Sequence, residues 1–257
     1  MTATPTTYVV HVDRHLDDHW SAWFGGDATI HRDDDGTSRL TVAVVDQAQL
    51  HGLLAGLRDL NVGLVSVSVA APAEPALTRV LRTARRLTLR PATVADTEAT
   101  WAFRRLPGVA EWLTGTPETL EGYRELFARA DRLATTVVVE LASGVVIGDF
   151  MLRREDAWAQ LEVAQAARGR QAELGWVLDP EYGGQGYATE AVRELLRYCF
   201  TELGVRRVHA NAFLDNDSSC RLMERVGMRR EGHAVRESLH RSGRWLDTVT
   251  YALLADE

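Results

Sequence analysis

The stretch DPEYGGQGYATEA, residues 179–191, decides the fold of the carboxyl-terminal part of this chain. It follows AELGWVL, residues 172–178, whose apolar pattern is typical of a strand, and it leads into a helix that begins near Tyr187. Glycines let backbone amides approach an anion closely, and the first turn of a helix leaves its N–H groups unpaired. A strand, a glycine-rich turn and a helix in this order therefore predict an anion-binding cradle.

Two common nucleotide-binding motifs do not fit this turn. A P-loop requires Gly-Lys followed by Ser or Thr, but Tyr187 follows Gly186. A dinucleotide fingerprint that starts at Gly184 requires a third glycine where Thr189 stands, and the surrounding pattern is not that of repeated βαβ units. Neither a P-loop nor a Rossmann site is therefore expected.

The elements around the turn predict an α/β domain over residues 86–257. Their order is β-α-α-β-β-β-α-β-α-β-β, because apolar alternation and helical spacing succeed one another with glycine turns between them. The predicted helices include residues 117–130, with Pro117 in the first turn, 187–203 and 217–226.

A smaller α/β module is predicted over residues 1–70. Two or three strands precede a helix over residues 48–60 and a final strand, which gives a ββαβ or a βββαβ order. The alanine- and proline-rich run AAPAEPAL, residues 70–77, breaks these patterns and indicates a linker, which we assign to residues 71–85. The chain is therefore interpreted as two domains.

Bulk composition narrows the classes of partner and compartment. The 257 residues carry a net charge of -7, which argues against broad contact with nucleic acid or an anionic membrane. The two cysteines form no CxxC pair, and no apolar run reaches the length of a membrane span. A cytoplasmic protein without nucleic-acid or membrane partners is expected.

The amino-terminal module contains no recognisable set of catalytic or metal-binding residues. His11, His15 and His19 would cluster only on a helix, whereas residues 8–12 have a strand pattern, so no metal site is predicted. The aromatic run HWSAWFGG, residues 19–26, is expected in the core, with self-association as the alternative. The sequence therefore leaves open whether the protein forms a homodimer through this module.

Three segments in this order and spacing resemble the GNAT acetyltransferases, in the branch that includes the ribosomal-protein N-acetyltransferases. They are AELGWVLDP (172–180), YGGQGYATEAV (182–192) and DNDSSCRLMERVGMRREG (215–232), followed by the closing GRWLDTVTYALL (243–254). The resemblance covers residues 87–256. It implies the GNAT fold, a mixed and mostly antiparallel sheet in which the fourth and fifth strands splay apart, and acetyl-CoA as co-substrate.

The resemblance also implies which residues hold acetyl-CoA. The backbone of Trp176, Val177 and Leu178 would hold the pantetheine arm. The pyrophosphate would be held by the turn and the first residues of the helix, namely Gly183, Gly184, Gln185, Gly186, Tyr187, Ala188 and the hydroxyl of Thr189. Asn216 would reach the cofactor arm or cap a helix, and Arg221 would meet a cofactor phosphate or lie exposed on its helix.

Amide formation from a thioester needs a base for the amine and a donor for the departing sulfur, and it needs no metal. Glu173 is the candidate base, although a strand glutamate can also serve only as a hydrogen-bond partner. Many GNAT enzymes have a tyrosine acid where Met223 stands here, so that role cannot be carried over. Ser219 is the candidate donor to the sulfur, with a plain helix-terminal serine as the alternative.

We therefore expect an N-acyltransferase that moves an acetyl or short acyl group from acetyl-CoA to a primary amine of a protein or small molecule, by direct attack in a ternary complex. The rival interpretation is a non-catalytic acyl-CoA sensor. His209 and His233 are weaker site candidates, since strand histidines are more often structural. The resemblance implies an acceptor groove lined by Trp101, Glu111, Trp112, Glu121 and Trp245.

Overall fold

A computed structural model describes the chain over residues 6–16, 28–33, 35–69, 76–82 and 86–257. It divides into two compact units, Met1–Ala73 and Glu74–Glu257. The aromatic run 19–26 and linker residues 71–75 and 83–85 lie outside the described residues. No described helix is both long enough and apolar enough to cross a membrane.

The first unit is an antiparallel sheet covered by one helix. Its strands are β1 (Thr6–Val12), β2 (Thr29–Arg32), β3 (Ser38–Val44) and β4 (Leu64–Val69), and its helix is α1 (Gln47–Asp59). The strand order is β2-β3-β1-β4. Asp46 caps α1 by accepting a hydrogen bond from the Gln49 amide at 2.8 Å. Of the two predicted orders, the βββαβ order is found.

The second unit is built on an eight-stranded sheet with the order β11-β12-β10-β9-β8-β7-β6-β5. Its strands are β5 (Leu81–Arg82), β6 (Leu87–Pro91), β7 (Thr136–Leu141), β8 (Val146–Glu155), β9 (Gln171–Leu178), β10 (Arg207–Phe213), β11 (Arg229–Leu239) and β12 (Trp245–Leu254). Neighbouring strands are antiparallel except β9 and β10, which are parallel. The mixed, mostly antiparallel sheet that was predicted is confirmed.

Helices cover both faces of this sheet. They are α2 (Thr97–Arg104), α3 (Pro107–Ala110), α4 (Leu120–Phe127), α5 (Ala130–Thr135), α6 (Ala164–Ala167), α7 (Tyr187–Thr201) and α8 (Asp217–Arg225). Side chains alternate between the faces along each strand. We call the face that carries Asp149 and Glu173 the front face, and the face that carries Leu152 and Leu174 the back face.

Helix α7 packs on the back face through a continuous apolar stripe. The buried stripe includes Ala191, Val192, Leu195, Leu196 and Cys199, which share one core with Leu152 and Leu174. This is the helix face that the 3.6-residue periodicity predicts. Because the stripe is buried along the helix, α7 is fixed on the sheet and its amino end lies at the glycine turn.

The predicted helix over residues 117–130 is wrong at both ends. Helix α4 begins at Leu120, because the Thr119 hydroxyl caps it by accepting a hydrogen bond from the Gly122 amide at 3.2 Å. Pro117 therefore precedes the helix. The last predicted residue, Ala130, begins a separate helix, α5.

Part of the segment assigned to the linker is packed in the second unit. Leu77 and Leu81 are each 1% exposed and belong to the same core as α7. Leu81 also begins β5, which pairs with β6 at Leu89. Burying two leucines stabilises this segment against the sheet, which the alanines and prolines of the sequence do not reveal.

A buried ion pair joins α2 to the front face of the sheet. Asp149 on β8 is 1% exposed and accepts hydrogen bonds from Arg104 Nε at 2.8 Å and Arg104 Nη2 at 2.6 Å. Arg132 adds a longer contact of 3.3 Å to the same carboxylate. Burial and the nearby Arg104 charge lower the pKa of Arg132. Asp149 is thus the shared counter-ion of two arginines.

We expect Asp149→Asn to lower the free energy of unfolding by about 3–5 kcal/mol, because it leaves two partly buried guanidinium groups without a counter-charge. Urea denaturation followed by tryptophan fluorescence measures the change. The control is Glu98→Gln, whose carboxylate pairs with Arg124 but is 57% exposed. This change should lower the free energy of unfolding far less, because solvent screens an exposed ion pair. Equal losses in the two variants would contradict the role of Asp149.

Candidate functional site

Strands β9 and β10 separate after a short paired stretch. They pair at Gln171, Ala172 and Glu173, whereas the remaining residues of β9, 174–178, have no partner in the described β10. On its other side β9 remains paired with β8 as far as Leu178. The backbone groups of residues 174–178 that face β10 are thus available to a ligand that binds as an added strand.

The glycine turn lies where β9 ends. Gly184 and Gly186 have φ values of 71° and 81°, in the left-handed region that side chains other than glycine rarely adopt. Gly186 is also the N-cap residue of α7. A Cβ added at Gly183 would lie 3.0 Å from the Pro180 carbonyl oxygen. The turn therefore depends on its glycines, and it leaves the first amides of α7 open to an anion.

A cavity of about 840 Å³ lies beside this turn. It is lined by Leu178, Tyr182, Gly184, Gly186, Tyr187, Ala188, Thr189, Glu190, Glu194 and the four arginines Arg86, Arg193, Arg197 and Arg225. The guanidinium groups outnumber the two carboxylates. Together with the positive end of the α7 dipole, they make the cavity suitable for a phosphorylated ligand.

A hydrogen bond spans from β9 to α8 across the gap. The Trp176 indole Nε1 donates to the Ser219 hydroxyl oxygen at 3.3 Å. Asn216 fixes this end of α8, because its side-chain oxygen accepts from the Ser219 amide at 3.1 Å and from the Ser218 hydroxyl at 2.8 Å. The capping role that the sequence allows for Asn216 is therefore present, and it holds Ser219 at the gap.

Glu173 lies on the front face within a polar network. Its carboxylate accepts hydrogen bonds from Arg153 Nη2 and, at 3.2 Å, from Asn211 Nδ2. Arg153 also donates to the Glu155 carboxylate at 2.8 Å. His209 Nε2 contacts the Glu155 carboxylate as well, at 3.1 Å. Burial opposes the charge on Glu155, but the hydrogen bonds from His209 and Arg153 outweigh it and lower the pKa of this carboxyl.

Comparison with known families agrees with this geometry. The acetyltransferase (GNAT) domain matches residues 86–229, more than half of the chain. The chain belongs to the GNAT acetyltransferase family. A domain of unknown function matches residues 7–68.

Individual relatives of this GNAT chain agree with the assignment. The uncharacterized N-acetyltransferase YnaD of Bacillus subtilis is 39% identical over 85 residues, which are 33% of this chain and 49% of YnaD. This chain thus spans about half the length of the curated relatives that it matches. A GNAT-family acetyltransferase from Bacillus anthracis is similar in structure, with a TM-score of 0.58 and 27% identity over 70% of this chain and 100% of the other.

A spermidine N-acetyltransferase from Vibrio cholerae, solved in complex with CoA and spermine, is also similar. Its TM-score is 0.55 and its identity 25%, over 66% of this GNAT chain and 96% of the other.

The two arginines of this GNAT chain's helix α8 differ in their surroundings. Arg221, the expected phosphate contact, is 64% exposed, forms an ion pair with Asp217 at 3.7 Å and does not line the cavity. Arg225, one turn later, lines the cavity and donates to the Thr189 hydroxyl at 3.3 Å. The structure therefore brings Arg225, which the sequence did not single out, to the cradle.

The other predicted GNAT site residues divide into three groups. The cavity lining includes Leu178, Gly184, Gly186, Tyr187, Ala188 and Thr189. Gly183 and Gln185 complete the glycine turn, and Trp176 and Val177 lie on the strand above it. Glu173 and Ser219 do not meet, since Glu173 is on the front face and Trp176, the partner of Ser219, is on the back face.

The remaining candidates have structural partners. Met223 is fully buried and packs in the apolar core of the second unit. His209 and His233 are paired with carboxylates, His233 with Asp247 at 2.6 Å. Among the described residues, no group of three or more His, Cys, Asp or Glu side chains is arranged to hold a metal ion.

Only some of the residues that were expected to line the acceptor groove of this GNAT chain lie close to one another. Trp112 lies 6.2 Å from Phe213 and 5.8 Å from His240 between ring centroids, and His240 Nε2 donates to the Glu111 carbonyl at 3.0 Å. The closing hairpin therefore contacts the segment after α3. In contrast, Trp101 stacks on Tyr123, Glu121 pairs with Arg124, and Trp245 is 58% exposed.

Arg225→Ala should raise the dissociation constant for acetyl-CoA about fivefold, because a charge-assisted contact at a solvent-exposed site contributes about 1 kcal/mol. Isothermal titration calorimetry measures the constant. Arg221→Ala is the matched control, since it removes the same charge from the same helix outside the cavity, and it should change the constant less than twofold. A larger effect at Arg221 would show that the cofactor phosphate lies on that side instead.

Proposed function

We propose that the chain is an N-acetyltransferase that transfers an acetyl group from acetyl-CoA to a primary amine. The observation that carries this proposal is the position of an anion cradle at the end of a strand that has separated from its neighbour. A pyrophosphate bound at the glycine turn would direct the pantetheine arm into the gap between β9 and β10. Membership of the GNAT family supports the same donor.

The proposed reaction is a direct transfer between two bound substrates. The amine nitrogen attacks the thioester carbonyl carbon, the new C–N bond forms, the C–S bond breaks, and CoA leaves as the thiolate. The amine proton passes to Glu173, directly or through water, and the Ser219 hydroxyl donates a hydrogen bond to the departing sulfur. A free thiol has a pKa of about 8.5, so one such donor favours its departure near neutral pH.

The proposed acceptor class is a primary amine of a protein or a small molecule. The amine would approach from the front face, where Glu173 lies, while the coenzyme would occupy the back face beside α7. The similarity to a spermidine N-acetyltransferase supports including polyamines among the acceptors to be tested. Acetylated protein amino termini belong in the same comparison, because the resemblance to the ribosomal-protein branch points to them.

The proposal is tested by incubating the full chain with acetyl-CoA and a panel of amines while free CoA thiol and acceptor mass are followed. The protein's own two thiols have raised pKa values, which slows their background reaction. Burial raises the pKa of Cys199 to about 12, and burial with the nearby Glu224 and Asp217 charges raises that of Cys220. Thiol release above background with one acceptor gaining an acetyl mass is the expected result.

A second candidate function is a non-catalytic acyl-CoA sensor. Met223 favours it, because a buried thioether replaces the tyrosine acid of many GNAT enzymes and cannot protonate the leaving sulfur. Acetyl-CoA binding without thiol release for any amine in the panel would support the sensor. Turnover with any acceptor would exclude it.

Glu173→Gln should lower kcat about 100-fold, because the amide cannot accept the amine proton. The dissociation constant for acetyl-CoA should change less than twofold. The control is Glu155→Gln, which loses a carboxylate that shares Arg153 with Glu173. Steady-state kinetics and calorimetry give both quantities. If the two variants lose the same activity, the effect belongs to the shared ion pair and Glu173 is not the base.

A further inference from the structure

A short segment before β6 contacts both ends of helix α7. We call the described residues 76–82 together with Arg86 the brace. Leu77 and Leu81 anchor it in the core of the second unit. The GNAT family match begins at residue 86, so Arg86 lies inside it and residues 76–82 lie before it. The brace therefore rests on the helix of the cradle.

One end of the brace holds the carboxyl end of α7. Arg79 forms a fork on Glu202, with Nε donating at 2.8 Å and Nη2 at 2.6 Å. The Thr78 amide donates to the Tyr198 hydroxyl oxygen at 3.2 Å. No residue of this contact lines the cavity beside the glycine turn. This end therefore fixes the helix from outside the cavity, and it is linked to the lining by the 3.5 Å contact between Glu202 and Arg197.

The other end of the brace holds the amino end of α7. Arg86 Nη1 donates to the Gln185 carbonyl oxygen at 3.1 Å, and its Nε and Nη2 donate to Glu190 at 3.1 and 2.9 Å. The same guanidinium lies over the Tyr187 ring, 4.2 Å from the centroid. Arg86 thus contacts the glycine turn, the first residue of α7 and Glu190 in the first turn of the helix.

The contact with Gln185 fixes the most adaptable part of the cradle. Gln185 lies between Gly184 and Gly186, both in the left-handed region, and glycines permit the adjoining peptide planes to rotate. A carbonyl that turned toward the cavity would present its negative end to a phosphate. The Arg86 hydrogen bond holds this carbonyl on the guanidinium, and the amides that follow stay available to the anion.

The contact with Glu190 cancels a charge that opposes phosphate binding. Glu190 lies in the first turn of α7 and lines the cavity, where an unpaired carboxylate would repel a pyrophosphate. Its side chain is only 17% exposed, so solvent screens it less than an ordinary surface carboxylate. The Arg86 ion pair neutralises it without occupying the amide groups of the turn.

We propose that Arg86 is a positioning residue of the coenzyme A site, which holds the Gln185 carbonyl and the Glu190 carboxylate so that the glycine turn stays ready for the pyrophosphate. This inference rests on the proposed function, because it takes acetyl-CoA as the ligand. It adds a specific residue from outside the glycine motif, about 100 positions earlier in the chain. It also makes Arg86, the residue directly before β6, part of the cofactor site.

The test compares Arg86→Ala with Arg79→Ala in the full chain. Both variants remove one arginine that forms an ion pair with α7 from the same segment, so a purely structural role predicts similar behaviour. We expect the dissociation constant for CoA to rise about tenfold in Arg86→Ala and less than twofold in Arg79→Ala. Calorimetry gives the constants, and thermal melting of both variants reports the structural loss.

A double variant separates the two contacts of Arg86. Arg86→Ala combined with Glu190→Gln removes the carboxylate together with its Arg86 partner, and the dissociation constant should fall at least threefold relative to Arg86→Ala alone. No recovery in the double variant would overturn the role assigned to Glu190. If Arg86→Ala does not fold, Arg86→Lys and Arg79→Lys replace the alanine pair, since lysine keeps the charge but not the fork.

Equal dissociation constants for the Arg86 and Arg79 variants, in either the alanine or the lysine pair, would overturn the positioning role. Failure of the unmodified chain to bind CoA is a different outcome. It would overturn the proposed function, and the role of Arg86 with it. Binding by the unmodified chain together with equal constants for the variants would overturn only the role of Arg86.

Discussion

Strand β9 leaves its parallel neighbour β10 after three paired residues, and the candidate site depends on this separation. The unpaired edge of residues 174–178 would be costly in a closed interior, because backbone amide and carbonyl groups need partners. Here β8 satisfies the opposite edge and the Trp176 to Ser219 hydrogen bond spans the gap. The sheet therefore tolerates an open edge that a pantetheine arm can pair with, and the same divergence brings the glycine turn to the end of the gap.

The charge of the whole chain and the charge of the cradle have opposite signs. A net charge of -7 would repel a highly phosphorylated coenzyme at long range, and solvent ions screen that effect within about 8 Å at physiological salt. Inside the cavity, four arginines and the amino end of α7 outweigh Glu190 and Glu194. Recognition of the coenzyme phosphates therefore depends on charges inside the cavity and not on the net charge of the chain. It depends on where each guanidinium is held, and the ion pair between Arg86 and Glu190 matters because it removes an unfavourable charge and fixes a peptide at the same time.

The sequence predicts the features that local patterns encode. The α7 stripe and the glycine turn follow from periodicity and backbone freedom, and the resemblance of three ordered segments gives the family, which the comparisons confirm. The sequence does not reveal features that depend on contacts between residues far apart in the chain. Arg86 reaches the turn from about 100 residues away, a separation that carries no local pattern. Arg221 and Arg225 are equivalent in a helical pattern, and only the packing of α8 beside Thr189 distinguishes them.

The opposite faces of Glu173 and Ser219 bear on the type of transfer. A covalent acyl-enzyme would require an activated nucleophile at the gap, whereas burial and the Glu224 and Asp217 charges raise the pKa of Cys220, the residue that follows Ser219. Direct attack instead requires donor and acceptor to be bound together. A coenzyme on the back face and an amine on the front face would meet at the separated strands without displacing each other. The two candidate groups would then act from opposite sides of one thioester, Glu173 on the amine and Ser219 on the sulfur, which is the arrangement that a ternary complex needs.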